Sequence, residues 1–125
     1  VGLVFEVPKV YWDYAKYDLR AESVDALLQV VQFLNNNPGL VVELSSHTDC
    51  RGDSNDNFIL SNKRAQTAVD FVVGRGVSST RVIAKGYGES LIRNGCFDGV
   101  DCTEEQHQYN RRTEVKILSM TTASN

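Results

Sequence analysis

The sequence predicts an α+β protein, a two-layer α/β sandwich in which one mixed sheet carries its helices on one face. Three observations predict it. Apolar residues recur with a 3.6-residue period in two long segments, 24–34 and 60–73. Short β-branched runs, Leu40-Val41-Val42-Glu43-Leu44 and Arg112 to Leu118, stand between and after those segments. Pro and Gly fall where the elements must turn.

Taken in order, an early strand is expected around Val4 to Val7 or Val10 to Trp12. A helix then runs from Asp18 or Leu19 to about Asn36, with Val24, Leu27, Leu28, Val31 and Leu34 forming one stripe. Asn35-Asn36-Asn37-Pro38-Gly39 ends it, because proline cannot continue the hydrogen-bond ladder and glycine permits the reversal. Leu40 to Leu44 reads as a largely buried strand. The second helix is expected from about Asn57 to Arg75, with Leu60, Ala65, Ala68, Val69, Val72 and Val73 apolar and Gly74 and Gly76 ending it. Arg81 to Lys85 is the next strand, closed by Gly86-Tyr87-Gly88. In the last strand, Arg112 to Leu118, Thr113, Val115 and Ile117 alternate with Glu114 and Lys116, so one face is buried and one wet. The expected order is β-α-β-α-β-β, a single unit over residues 1–118 followed by a frayed tail at 119–125.

Composition narrows the function classes. A chain of 125 residues can bury roughly two-thirds of its unfolded surface without a metal or several disulfides. The net charge of −3 offers no basic field for nucleic acid or anionic lipid, so nucleic-acid binding is set aside. No apolar run approaches the ~20 residues of a membrane-spanning helix, and no signal peptide opens the sequence. The start at Val1 falls inside what reads as folded sequence, so a longer parent is expected, with any membrane attachment made through a missing upstream segment. Cys96 and Cys102 lie six apart in a Gly- and Asp-rich loop that a disulfide closes easily, which points to an oxidising compartment. The alternative is two reduced cysteines in a surface loop. Cys50 is then the remaining thiol, read as a small neutral spacer rather than a redox group.

Residues 47–64 carry the chemistry. Asp49 stands where a strand should end, and ligands of open α/β sheets bind at the carboxyl ends of strands. Arg64 lies between Leu60 and Ala68 at i−4 and i+4, inside the apolar stripe of the second helix, with Asn57 near the same line. A carboxylate and a guanidinium so placed suit a ligand with an ammonium and a carboxylate side by side. They also suit a plain structural bridge, which contributes little once desolvation is counted. Residue types and spacing leave both open.

Several motifs in order resemble one family. Glu43-Leu44-Ser45-Ser46-His47-Thr48-Asp49, Arg51-Gly52, Asn57-x-x-Leu60-Ser61-x-x-Arg64-Ala65, Lys85-Gly86-Tyr87-Gly88-Glu89 and Asn110-Arg111-Arg112-Thr113-Glu114 look like the OmpA-like peptidoglycan-binding domain. The resemblance spans nearly the whole chain. It implies a non-enzymatic domain on the periplasmic face of a Gram-negative outer membrane, anchoring its parent to peptidoglycan. It also implies that Asp49 takes the ammonium and Arg64 the carboxylate of diaminopimelate in the stem peptide, a charge-assisted bidentate contact. Asn57 and Thr48 are implied as hydrogen-bonding neighbours, Leu60 as part of the same motif, and Arg111 at the rim, behind the residues that touch ligand, or as a structural anchor. The loop holding Cys96, Cys102 and Thr103 to Gln108 is longer than in the simplest members and resembles the Bacteroidetes-type version. It has the reach to cover or narrow the cleft.

Other chemistries fit less well. His47-x-x-Cys50 and Cys102-x4-His107 lack the spacing of zinc knuckles, and a disulfide would consume Cys102. Asp53-x-Asn55-x-Asn57 imitates a calcium loop, but Phe58 replaces its glycine and Arg64 its bidentate glutamate. No metal and no cofactor is expected. His47 and Asp49 sit two apart without a serine on an elbow, so a hydrolase triad is not expected either. The remaining alternative is an envelope domain that binds proteins, with Asp49 and Arg64 bridged structurally.

Overall fold

The computed structural model describes residues 2–7 and 21–120. Among the described residues, four strands and three helices follow in the order β1 (Val4–Glu6), α1 (Ala21–Asn36), β2 (Leu40–His47), α2 (Ser54–Gly74), β3 (Val82–Gly88), α3 (Glu104–Gln108) and β4 (Arg112–Met120). The sheet order is β1-β4-β2-β3. β2 pairs antiparallel with β4 and parallel with β3, and β1 pairs antiparallel with β4. This is the mixed α+β sheet expected, with a short helix added in the last loop. The second early strand (Val10 to Trp12), the helix start at Asp18 or Leu19, and residues 121–125 lie outside the described residues.

One core joins both long helices to one face of the sheet. Val42 and Leu44 of β2, Val82 of β3, and Val115 and Ile117 of β4 meet Leu27, Val31 and Leu34 of α1 and Ala68, Val69 and Val72 of α2. The alternation of a strand sends Glu43, Ser45 and His47 to the other face. There Tyr87 Oη donates to Glu43 Oε2 at 2.8 Å, and its ring stacks on His47 with centroids 5.0 Å apart. Among the described residues no helix is long and apolar enough to cross a membrane.

Several boundaries differ from expectation for identifiable reasons. The buried stripe of α1 is Ser23, Ala26, Leu27, Val30, Val31 and Leu34; Leu28 is exposed and Val24 half-buried. α2 begins three residues early because the side chain of Asp53 accepts from Asp56 N at 3.0 Å and caps it. β2 runs on to His47, and β4 to Met120, two residues past the expected domain limit of 118. β3 starts at Val82, and Arg81 just before it has another task. It donates from Nε to Leu40 O and from Nη2 to Leu34 O and Asn37 O, satisfying carbonyls where α1 ends.

Gly86 and Gly88 are in β3 rather than closing it. A Cβ on Gly86 would lie 2.3 Å from Asn62 N, and one on Gly88 3.0 Å from Phe58 Cα. Their bareness lets β3 touch the backbone of α2, and Asn62 Oδ1 and Ser61 Oγ accept from their amides at 2.9 and 2.8 Å. The N-terminal half of α2 is thereby pinned beside the end of β2.

Candidate functional site

Three chain segments meet where β2 ends. Thr48 N donates to Gly88 O at 2.8 Å, extending the β3 pairing by one residue and delivering Asp49 just past the end of this interior strand. Asp49 is 6% exposed. Its Oδ1 accepts from Arg51 N at 2.8 Å, an Asx turn that fixes the carboxylate from its own chain. Its Oδ2 accepts from Arg51 Nη2 at 3.0 Å and from Arg111 Nη1 at 2.5 Å. Burial pushes the Asp49 carboxyl upward, but the hydrogen bonds from the Arg51 side chain and amide and from Arg111 outweigh it. The net direction is down, so Asp49 is ionised at neutral pH.

Arg64 is 3% exposed, as its place in the stripe foretold. Burial is the main cause that brings its guanidinium down to about 10; the charge of Arg111 adds to this and the charge of Asp49 opposes it. It stays protonated at neutral pH and lies within the fields of both residues. Asn57, half-buried in the first turn of α2, donates to Arg51 O at 2.9 Å and to Asp49 O at 3.4 Å, tying the helix to the loop. Thr48 is buried, and its Oγ1 meets no hydrogen-bonding group among the described residues. Leu60 is half-buried one turn before Arg64.

The two consecutive arginines before β4 diverge. Arg111 reaches Asp49, which places it behind the carboxylate, one of the positions expected of it. Arg112 goes to the opposite face, to Glu114 Oε2 at 2.9 Å, Leu91 O at 3.0 Å and Asn110 O at 3.2 Å. There Glu114 Oε1 and Ser45 Oγ both meet the Nε2 of His47, at 3.2 and 3.0 Å. A relay needs the acid and the hydroxyl on different ring nitrogens, so this arrangement is structural.

Sequence reasoning missed Arg51 as a direct partner of Asp49, and missed Glu104 altogether. Glu104 Oε2 pairs with Arg51 Nη1 at 3.0 Å, and its Oε1 accepts from Arg111 Nη2. The signal for α3 was present as Thr103-x-x-Gln106, a capping box with both reciprocal bonds formed. The Cys96–Cys102 disulfide is formed, and Cys50 is a buried free thiol, pushed up by burial and by neighbouring carboxylates, Asp98 before Asp49. A groove of about 210 Å³ between α1 and the β1–β4 edge is lined by Val7, Ala26, Val30, Phe33 and neighbours. It shares no residue with the charged cluster, whose chemistry is the more informative.

Comparison with known proteins gives the same picture. The family model described as OmpA family matches residues 11–99. The chain is 30% identical over 109 residues to the peptidoglycan-associated lipoprotein of Mesorhizobium japonicum, covering 87% of this chain and 62% of that protein. It is 34% identical over 122 residues to photosystem I P700 chlorophyll a apoprotein A2 of Gloeobacter violaceus, covering 93% of this chain but 14% of that protein. The chain thus spans less than two thirds of either relative. The crystal structure of the peptidoglycan-associated lipoprotein from Burkholderia pseudomallei superposes with a TM-score of 0.75 at 25% identity, over 86% of this chain and 87% of that one.

Proposed function

We propose that this chain, which belongs to the OmpA family, binds peptidoglycan non-covalently through the diaminopimelate residue of its stem peptide. The family is structural rather than catalytic. The observation that carries the reading is a buried, ionised aspartate at the end of the central strand with a buried, protonated arginine in reach of its field. The free end of diaminopimelate bears an ammonium and a carboxylate on one carbon. Asp49 accepts from the ammonium, and Arg64 forks onto the carboxylate. Thr48 supplies a hydroxyl that has no other partner among the described residues, Asn57 holds the loop, Leu60 packs beside the ligand, and Arg111 steadies Asp49.

Each charged contact contributes ~1–3 kcal/mol when partly desolvated, so two or three give micromolar to millimolar affinity after association costs. That suffices for a domain tethered beside a polymer that repeats its ligand. On this reading the protein acts at the periplasmic face of a Gram-negative outer membrane, held to the wall by this domain. The alternative is a protein-binding envelope domain in which Asp49 and Arg64 have a structural role, beside the pairs Asp49 makes with Arg51 and Arg111.

The test is a titration with a diaminopimelate stem peptide, beside the same peptide carrying lysine, by calorimetry or NMR. Selective binding lost in both Asp49→Ala and Arg64→Ala supports the reading. No binding by folded wild type reduces the pair to a structural role.

A further inference from the structure

The loop closed by the disulfide ends by placing a second carboxylate at this site. Cys96 is buried, and Asn94 beside it accepts from Asn110 Nδ2 at 2.9 Å while donating to Gln106 O at 3.1 Å. The loop is thus fastened to the residue that precedes Arg111. Thr103 Oγ1 then accepts from Gln106 N at 3.2 Å, and Gln106 Oε1 from Thr103 N at 2.8 Å. Glu104, between these two caps, has little freedom left in its backbone.

Its side chain is 65% exposed, yet both of its oxygens are engaged, by Arg51 and by Arg111. These are the two guanidinium groups that hold Asp49, and each uses one terminal nitrogen for each carboxylate. The consequence is one of charge. Asp49 with Arg51 and Arg111 alone is a cluster with one excess positive charge, which repels an ammonium. Glu104 cancels that excess by pairing with both guanidinium groups.

We propose that Glu104 is a specificity-determining residue of the site, which lets Asp49 receive a ligand ammonium by neutralising the two arginines that flank it. This rests on reading Asp49 as the ammonium acceptor. The Arg111 hydrogen bond holds the Glu104 carboxyl below its ordinary range, so the residue is charged at neutral pH, as Asp49 is. The disulfide-closed loop delivers this charge rather than merely covering the cleft.

The experiment is a charge series at position 104, titrated with the diaminopimelate stem peptide at low and moderate salt. Glu104→Asp should bind as wild type does. Glu104→Gln should bind about two- to fivefold more weakly, the upper range for an exposed charge interaction. Glu104→Lys should be weaker again, with the differences shrinking as salt is raised. Folding of each variant is checked by circular dichroism. Equal affinities across the series, or tighter binding by Glu104→Gln, overturn the assignment while leaving the peptide-binding reading intact. Failure of wild type and every variant to bind overturns both.

Discussion

Replacing Asp49 with asparagine keeps the shape of the side chain and one acceptor for Arg51 N, but removes the charge that two arginines share. The magnitude follows from exposure. The Arg51 side chain is 45% exposed, so its pair with Asp49 is screened and contributes little. The side chains of Arg111 and Asp49 are 18% and 8% exposed, so their bond is the valuable one. A charge-assisted bond of that burial contributes about 2 kcal/mol, which for a chain of this size lowers Tm on the order of 8 °C. The pH dependence has a definite sign. The folded carboxyl lies below its unfolded value, because the arginine hydrogen bonds outweigh burial. Its stabilisation is therefore complete above the ordinary aspartate range and is lost as pH falls through the folded value. Thermal melts of wild type and Asp49→Asn should differ most near neutral pH and converge below about pH 4. Equal Tm values at neutral pH, or a gap that does not narrow on acidification, would refute the account of Asp49.

Three further outcomes are expected. Gly86→Ala places a methyl 2.3 Å from the backbone nitrogen of Asn62, which a helix cannot move aside, so a loss of about 3 kcal/mol or more is expected in urea unfolding; a loss under about 1 kcal/mol would contradict the strand–helix contact. Arg81→Ala exposes three carbonyls at the end of α1 and the start of β2, and should cost about 1–3 kcal/mol by the same assay, with lysine restoring only part because it lacks the fork. Burial, and next the charge of Arg112, bring His47 down to about 4 against the opposing charge of Glu114. Its contribution is thus complete above about pH 6.5 and falls as pH drops toward 4. An NMR titration of the His47 ring should show no inflection near 6.5, and His47→Gln should flatten the stability profile between those limits.

Much of the site was legible because its charges break a local rule. A charged residue at i±4 from Leu60 and Ala68 has no reason to be there unless it is used, and Arg64 is buried accordingly. The core of α1 was half legible. Leu27, Val31 and Leu34 belong to two overlapping stripes, one completed by Val24 and Leu28, the other by Ser23, Ala26 and Val30. Hydropathy favours the first; tertiary packing chose the second, where small residues let the helix approach. Gly86-Tyr87-Gly88 reads as a strand stop by propensity, yet the contact with α2 keeps it in the sheet. Periodicity cannot find a five-residue helix, so α3 and Glu104 were visible only through a capping pattern.

The topology explains why residues as distant as Asp49 and Arg111 meet. β2 is interior, between β4 and β3. The antiparallel β4 begins where β2 ends, with Arg112 opposite His47, and the parallel β3 ends there too, with Gly88 opposite His47. One strand end thus gathers Thr48 to Arg51, Gly88 with Glu89, and Asn110 with Arg111, while the glycines of β3 bring α2 alongside. Alternation then divides the arginine pair: the residue opposite His47 must share its face, so Arg112 serves the structural network and Arg111 falls to Asp49. Exchanging their tasks would require a one-residue slip of β4, which would turn Val115 and Ile117 out of the core. The hydrophobic register that makes the fold therefore also fixes which guanidinium reaches the aspartate. A site held by register rather than by loops alone is ordered before ligand arrives, which lowers the entropic cost of a weak, repeated interaction.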